Sequence, residues 1–334
     1  MTSASQSLKT HSDPLGYNLP LRLRARYYPM GYALDLETNS EDVRRAAGWI
    51  WGKFPQASHR EDSSANPPTM RVIVAGKNAT APPVPSMPRG QNHLVSFIHG
   101  AENFAVCDLG RGFTWACLTQ DVARDAAYLR YHFLEPAGYL MIDARHFRAL
   151  HASCVALDGR AVVLCGDAGA GKTSLAYGCA RRGWTYLSDD ATHIVRESPD
   201  RIVAGRPYRI RFRESARRLF PELQAFTPEL RPNGKLDIEV DTGALGIAVA
   251  LECRASHIVF LNREPGPARA RTCPFPRAEA EARLADPICY GDERIRAAQQ
   301  RTLQHFLQLP TCELNYSGID DAESVLRALV RDAR

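Results

Sequence analysis

The chain has 334 residues, 45% of them hydrophobic and 24% charged, with 23 Gly and 22 Pro. This is an ordinary globular balance that excludes a fibrous or largely disordered chain, and at this length one or two cores are expected, since single cores stop growing near ~250–300 residues. The net charge of +5 favours anionic ligands but is spread in short clusters, without the concentrated basic face of a nucleic-acid binder, so no nucleic-acid partner is expected.

Nine cysteines (107, 117, 154, 165, 179, 253, 273, 289 and 312) are scattered without C-x-x-C pairing. Several lie in apolar runs, where a free thiol behaves as a small hydrophobe, which points to a reducing cytoplasm and to no zinc site. The opening MTSASQSLKTHSDPLGYNLP has no apolar core of a signal peptide, and runs such as Ile247–Leu251 fall far short of the ~20 residues that span a bilayer. A soluble cytoplasmic protein without a membrane partner is expected, and a homo-oligomer is left open.

Residues 1–30 are polar, with Pro14, Pro20 and Pro29, and read as a tail or an ordered arm. Asn39-Ser40-Glu41-Asp42 supplies N-cap chemistry before the helix-spaced Val43, Ala46, Ala47, Ile50 and Trp51, which predicts a helix over 41–53. Loops at 55–69 and 79–92 flank the β-type segment 71–74. Segments 94–98, 104–107 and 113–118, separated by glycine or charged turns, predict an antiparallel meander. From Asp121 the pattern is helical until Pro136 and Gly138 interrupt it, and a second helical stretch runs from Tyr139 to Leu150. A boundary between domains is expected there, with an α+β domain over 1–140 and a second over 141–334.

Ser153–Leu157 and Ala161–Cys165 are apolar strands joined by Asp158-Gly159, the strongest short hairpin signal. The second strand runs into GDAGAGKT, Gly166 to Thr173. This is the G-x-x-x-x-G-K-T pattern of a phosphate loop. Gly166, Asp167, Ala168, Gly169, Ala170 and Gly171 curl the backbone so that N–H groups face phosphate oxygens. Lys172 reaches the β/γ-phosphates, the Thr173 hydroxyl ligates magnesium, and Ser174 continues the helix whose dipole adds to the site. That helix is expected over 172–182, ending in Arg181-Arg182-Gly183. Trp184–Leu187 then leads into Ser188-Asp189-Asp190, two acids at a strand end, one strand away from the loop, where a magnesium ligand and a proton acceptor are needed; the alternative is a solvated turn.

Leu150-His151-Ala152, the hairpin, GDAGAGKTSLAYGCARRG and LSDD together resemble the nucleotide-binding core of the HPr kinase/phosphorylase family over residues 150–197. The resemblance implies an α/β fold with a phosphoenolpyruvate-carboxykinase-like P-loop kinase core and a mixed sheet, preceded here by the smaller α+β N-terminal domain. It implies ATP and Mg2+, with Lys172 and Thr173 holding the triphosphate and metal, Asp189 as the base that takes a hydroxyl proton, Asp190 as a metal or water ligand, and His151 beside the γ-phosphate. Without that context His151 reads equally as a packed or turn histidine. The family's downstream Glu-Ile-Arg-Gly-Leu-Gly-type segment has no counterpart; the region reads RPYRIRFRE. The resemblance therefore carries neither phosphorolysis nor the phosphocarrier partner.

Arg209, Arg211 and Arg213 share one strand face, with Ile210 and Phe212 on the other, and could grip phosphates, grip an acidic substrate, or be a solvated face. Lys235 and Arg263 are further candidate cations. Helices are expected at 277–285, 291–308 and 320–332 with a short strand at 312–315, and Leu303, Phe306 and Leu307 read as core. The functional expectation is an ATP-dependent kinase acting on a hydroxyl of a peptide, protein or small metabolite. The alternative is an ATP-binding or ATP-hydrolysing regulatory module without transferase activity. Carboxykinase chemistry would need a further manganese and carboxylate site, for which the sequence offers no ligands.

Overall fold

The computed structural model describes residues 19–57, 66–75, 85–266, 269–285 and 290–332. The tail or arm up to residue 18, the loop stretches 58–65 and 79–84, and Cys289 lie outside the described residues. The chain is mixed α/β with mixed sheets, in two compact units.

The first unit takes the residues up to 54 and from 66 to 141. Its strands are β1 (Leu23–Tyr27), β2 (Leu34–Thr38), β3 (Thr69–Ala75), β4 (Arg89–Gln91), β5 (Leu94–Ile98), β6 (Phe104–Asp108) and β7 (Phe113–Thr119). They form one sheet in the order β1-β2-β3-β7-β6-β5-β4, with β2, β3 and β7 parallel and the other pairs antiparallel. The antiparallel meander β5–β6–β7 is the one that the turn spacing predicts. Helix α1 (Glu41–Trp51) carries β2 over to its parallel neighbour β3. It starts where the Val43 N–H donates to the Ser40 hydroxyl (3.4 Å), and it buries Val43, Ala46, Ala47, Ile50 and Trp51.

Pro136 and Gly138 do not interrupt the helical stretch that follows. Helices α2 (Gln120–Arg124) and α3 (Ala126–Leu129), a π-helical turn (Arg130–Leu134) and α4 (Glu135–His146) succeed one another. Pro136 lacks the N–H that an inner helical turn needs, and the wider π turn directly before it accommodates that loss. Gly138 is a packing requirement, since a Cβ there would come within 2.6 Å of Trp51 Cζ2. The helix also stops at His146 and not at Leu150. Residues Phe147–Leu150 are strand β8, recruited by pairing with residues 192–195, so a tertiary ladder overrides the local helical pattern.

The second unit takes residues 55–57 and 142–332. After β8 come β9 (Ser153–Leu157), β10 (Arg160–Cys165), α5 (Lys172–Ala180), β11 (Thr185–Ser188), β12 (Thr192–Val195), β13 (Ile202–Ala204), β14 (Arg209–Arg213), β15 (Glu229–Leu230), β16 (Leu236–Asp241) and β17 (Glu252–Arg263). Then follow β18 (Arg271–Pro274), α6 (Arg277–Leu284), α7 (Glu293–Phe306), β19 (Thr311–Tyr316) and α8 (Ile319–Asp332). The expected helices are present, with their ends moved by a few residues at most.

The main sheet runs β11-β9-β10-β17-β13-β12-β8, and β17 pairs further along its length with β19, which pairs with β18. Strands β10, β17 and β19 are parallel and all other pairs antiparallel. The β9–β10 hairpin turns through Asp158 (φ 51) and Gly159 (φ 74), the two left-handed residues that its two-residue loop demands. Because the hairpin occupies that edge of β10, β11 joins beyond β9 and the acidic turn approaches the loop from across β9.

Period-two alternation divides the core between the two faces of this sheet. Val155, Leu157, Val162 and Leu164 pack with Leu175 and Tyr177 of α5 and Leu326 and Val330 of α8. Cys154, Ala156, Val163 and Cys165 pack with Leu284 of α6 and with Leu303, Phe306 and Leu307 at α7. A separate three-stranded antiparallel sheet, β14-β16-β15, lays Ile210, Phe212, Ile238 and Val240 onto the α5 side of the core.

Candidate functional site

The loop between β10 and α5 is shaped by its glycines. Gly166, Gly169 and Gly171 have φ of 149°, 92° and 93°, values in which a side chain is strained. At Gly171 a Cβ would also press into Tyr316 Oη, well inside the 3.0 Å that real Cβ contacts respect. Tyr316, the last residue of β19, donates its hydroxyl to the Ala170 carbonyl (2.6 Å), so a strand far along the chain fixes the loop's crest. Asp167, Ala168 and Gly169 are exposed and Gly166, Ala170 and Gly171 half-buried. The Ala170 N–H turns back to the Asp167 carbonyl (3.1 Å).

Lys172 opens α5 and is only 7% exposed. Its ammonium donates to the loop carbonyls of Gly166 (2.7 Å) and Asp167 (3.3 Å). Burial lowers its proton affinity, opposed by the charges of Asp190, Cys165 and Asp167. Thr173 and Ser174, half-buried, stand in the first helical turn, whose N–H groups have no partner within the helix. A buried ammonium beside a curled backbone and an open helix start suits a polyphosphate.

Strand β11 ends at Ser188, so Asp189 and Asp190 lie in the turn to β12. This turn is laced to the β8–β9 connection. The Ser153 hydroxyl donates to the Asp189 carbonyl, the Thr192 hydroxyl donates to the Ala152 carbonyl (2.9 Å), and the Ser188 and Thr192 hydroxyls are 2.7 Å apart. The pairing of Thr192 with Leu150 brings His151 to the turn, where its Nδ1 lies 3.1 Å from Asp190 Oδ1 and 3.2 Å from the Asp190 carbonyl.

The two carboxylates differ. Asp189 is half-buried, and its Oδ2 accepts the Arg211 N–H (2.8 Å). Burial raises its pKa, partly offset by that N–H. Asp190 is 61% exposed, and the hydrogen bond from His151 brings its pKa down to about 2, so it stays ionised. In return the Asp190 hydrogen bond lifts the His151 imidazole above its ordinary value, against burial and the charge of Lys172. Asp190 is thus the carboxylate whose field reaches both His151 and Lys172.

His151 and Asp190 are therefore in direct contact, the charges of Lys172 and of this pair act on one another, and Asp189 is alongside, turned to β14. Lys235 is exposed at the turn before β16 and Arg263 is exposed at the end of β17, and neither belongs to these contacts. Tyr316, Ser153 and the Arg211 N–H are participants that sequence reading did not single out. Only strand pairing brings them here, and no local spacing signals it.

These residues fit a magnesium nucleotide in their donor chemistry: a hydroxyl at Thr173, an ionised carboxylate at Asp190 and the buried ammonium of Lys172. Among the described residues no cluster of three or more His, Cys, Asp or Glu forms a self-contained metal site, and no helix is long and apolar enough to cross a membrane.

No family model matches the chain, and no curated protein matches it. Among solved structures, the Hpr(Ser) kinase/phosphatase from Coxiella burnetii is similar with a TM-score of 0.30 and 15% sequence identity, covering 55% of this chain and 91% of that one. A likeness this remote has no bearing on the roles of residues.

Proposed function

We propose that the second unit is an ATP- and magnesium-dependent kinase domain, built on a phosphoenolpyruvate-carboxykinase-like P-loop core, that transfers the γ-phosphoryl group to a hydroxyl of a peptide, protein or small metabolite in the cytoplasm. The observation that carries this reading is the buried Lys172 ammonium, held in a glycine-shaped loop and facing an acidic turn whose two carboxylates are tuned in opposite directions.

The loop N–H groups and Lys172 bind and orient the phosphates. Thr173 and Asp190 would hold magnesium, which supplies neutralisation of phosphate charge when bound. Asp189, whose pKa is raised by burial, is suited to accept the proton of an attacking hydroxyl, a role worth roughly 10²–10⁴ in rate. His151 fixes the orientation of Asp190. The first unit has no assigned role in the chemistry.

Lys172→Ala is expected to abolish nucleotide binding and transfer. Asp189→Asn is expected to bind ATP with wild-type affinity but to transfer at least ~100-fold more slowly. Wild-type transfer by Asp189→Asn would remove the base assignment. ATP turnover to free phosphate at a rate that no hydroxyl acceptor alters would favour the regulatory module over the kinase.

A further inference from the structure

We infer that Thr192, together with Ser188, is a positioning clip for phosphoryl transfer, its buried hydroxyls holding the acidic turn in the shape that meets the terminal phosphate; this rests on the kinase reading above.

The pairing register shows why hydroxyls are needed there. Thr192 of β12 faces Leu150 of β8, and Ser188 of β11 faces Cys154 of β9. Four residues separate Leu150 from Cys154 and four separate Ser188 from Thr192, so one antiparallel register runs through both ladders. Residues 147–154 and 188–195 are thus one ribbon that opens in its middle. Residues 151–153 and 189–191 lie across that opening, outside both ladders.

Side chains replace the missing ladder bonds. The Ser153 hydroxyl donates to the Asp189 carbonyl, and the Thr192 hydroxyl donates to the Ala152 carbonyl at 2.9 Å. With its own proton given to Ala152, Thr192 Oγ1 is left to accept from the Ser188 hydroxyl at 2.7 Å. The clip therefore joins the two ends of the turn Asp189-Asp190-Ala191 and fastens them to Ala152. The neighbours of Ala152 are the residues that touch the acids, His151 on Asp190 and Ser153 on Asp189.

Ser153 and Thr192 are 0% exposed and Ser188 1%. A buried hydroxyl costs free energy unless it is bonded, and valine would fill the Thr192 position and suit a strand equally well. What valine lacks is the bond to Ala152 and the acceptor for Ser188. Behind the clip, Gly205 lies so close that a Cβ there would collide with the Leu187 carbonyl, which leaves the turn no slack in that direction. The Arg211 N–H holds Asp189 Oδ2 at 2.8 Å, so β14 fixes the carboxylate while the clip fixes the main chain that carries it.

Full-length wild type, Thr192→Val and Thr192→Ser are titrated calorimetrically with magnesium ADP, alone and with aluminium fluoride, which beside ADP mimics the phosphoryl group in transfer. Thr192→Val is expected to keep its affinity for ADP within about twofold and to lose about 10–100-fold for the fluoroaluminate complex. Thr192→Ser keeps the hydroxyl and should restore the wild-type ratio of the two affinities. An unchanged ratio in Thr192→Val would overturn the inference, as would equal weakening of both forms or a Thr192→Ser as impaired as Thr192→Val. Should Thr192→Val fail to fold, Ser188→Ala breaks the same clip with a smaller change, and an unchanged ratio there overturns the inference equally. Wild-type protein that binds neither form, or binds ADP no more tightly with aluminium fluoride than without it, would instead overturn the kinase reading itself.

Discussion

Replacing Gly171 with alanine sets two separate costs on the loop. The backbone there has φ 93°, and an L side chain in that region costs about 1–2 kcal/mol. The new Cβ also lands on Tyr316 Oη, and the ring cannot swing aside because Tyr316 is only 2% exposed. The hydroxyl must leave the Ala170 carbonyl, losing a 2.6 Å hydrogen bond and stranding an acceptor, about 1–3 kcal/mol. The total, roughly 2–5 kcal/mol, is a large part of the ~5–15 kcal/mol that holds a domain folded. Tyr316→Phe alone should cost only the hydrogen bond, about 1–3 kcal/mol. In the double variant the next atom, Tyr316 Cζ, is 3.6 Å from the added Cβ, an ordinary contact. The double variant should therefore be no less stable than Gly171→Ala by itself. Urea unfolding of 5-fluorotryptophan-labelled protein suits the measurement, since Trp184 is the one tryptophan of the second unit. Additivity of the two substitutions within ~0.5 kcal/mol, or a Gly171→Ala cost below ~1 kcal/mol, would refute the claim that Tyr316 clamps this loop.

Two further outcomes are expected. His151 is raised above its ordinary 6.5 by Asp190, so the stabilisation from this pair is complete below 6.5 and disappears as pH climbs through the raised value. NMR titration in magnesium-free buffer should place its midpoint above 6.5 and Asp190→Asn should lower it, whereas an unmoved midpoint would mean that another group sets it. Glu323, 4% exposed, accepts the Trp184 indole N–H (2.7 Å) and the Arg327 Nε–H (2.8 Å). Glu323→Leu leaves both donors unmatched and should destabilise the second unit by about 2–5 kcal/mol in the same urea assay, while Glu323→Gln, which keeps an acceptor, should cost less.

What the sequence made legible was contiguous. GDAGAGKT, the Asp158-Gly159 hairpin, the β5–β7 meander and the amphipathic helices each carry their signal within a dozen residues. Features that depend on distant partners were misread or missed. Phe147–Leu150 has a helical pattern yet is a strand because β12 pairs with it. Pro136 and Gly138 look like breakers but sit in continuous helix, because a π turn accommodates one and Trp51 demands the other. Likewise the arginine row on β14 can be read from alternation, whereas the acidic ladder that neutralises part of it belongs to β16 and becomes apparent only with the register.

The parallel pairing of β10 with β17 has a bearing on biosynthesis. The β9–β10 hairpin closes on microsecond scales from neighbouring residues, but the loop end of β10 pairs with β17, Cys165 opposite Phe260, and the loop's crest hangs on Tyr316. A nascent chain on the ribosome exposes Lys172 long before either support has been translated. Maturation of the glycine loop therefore waits for β19, and truncation ahead of β19 should release a collapsed product whose loop lacks its clamp.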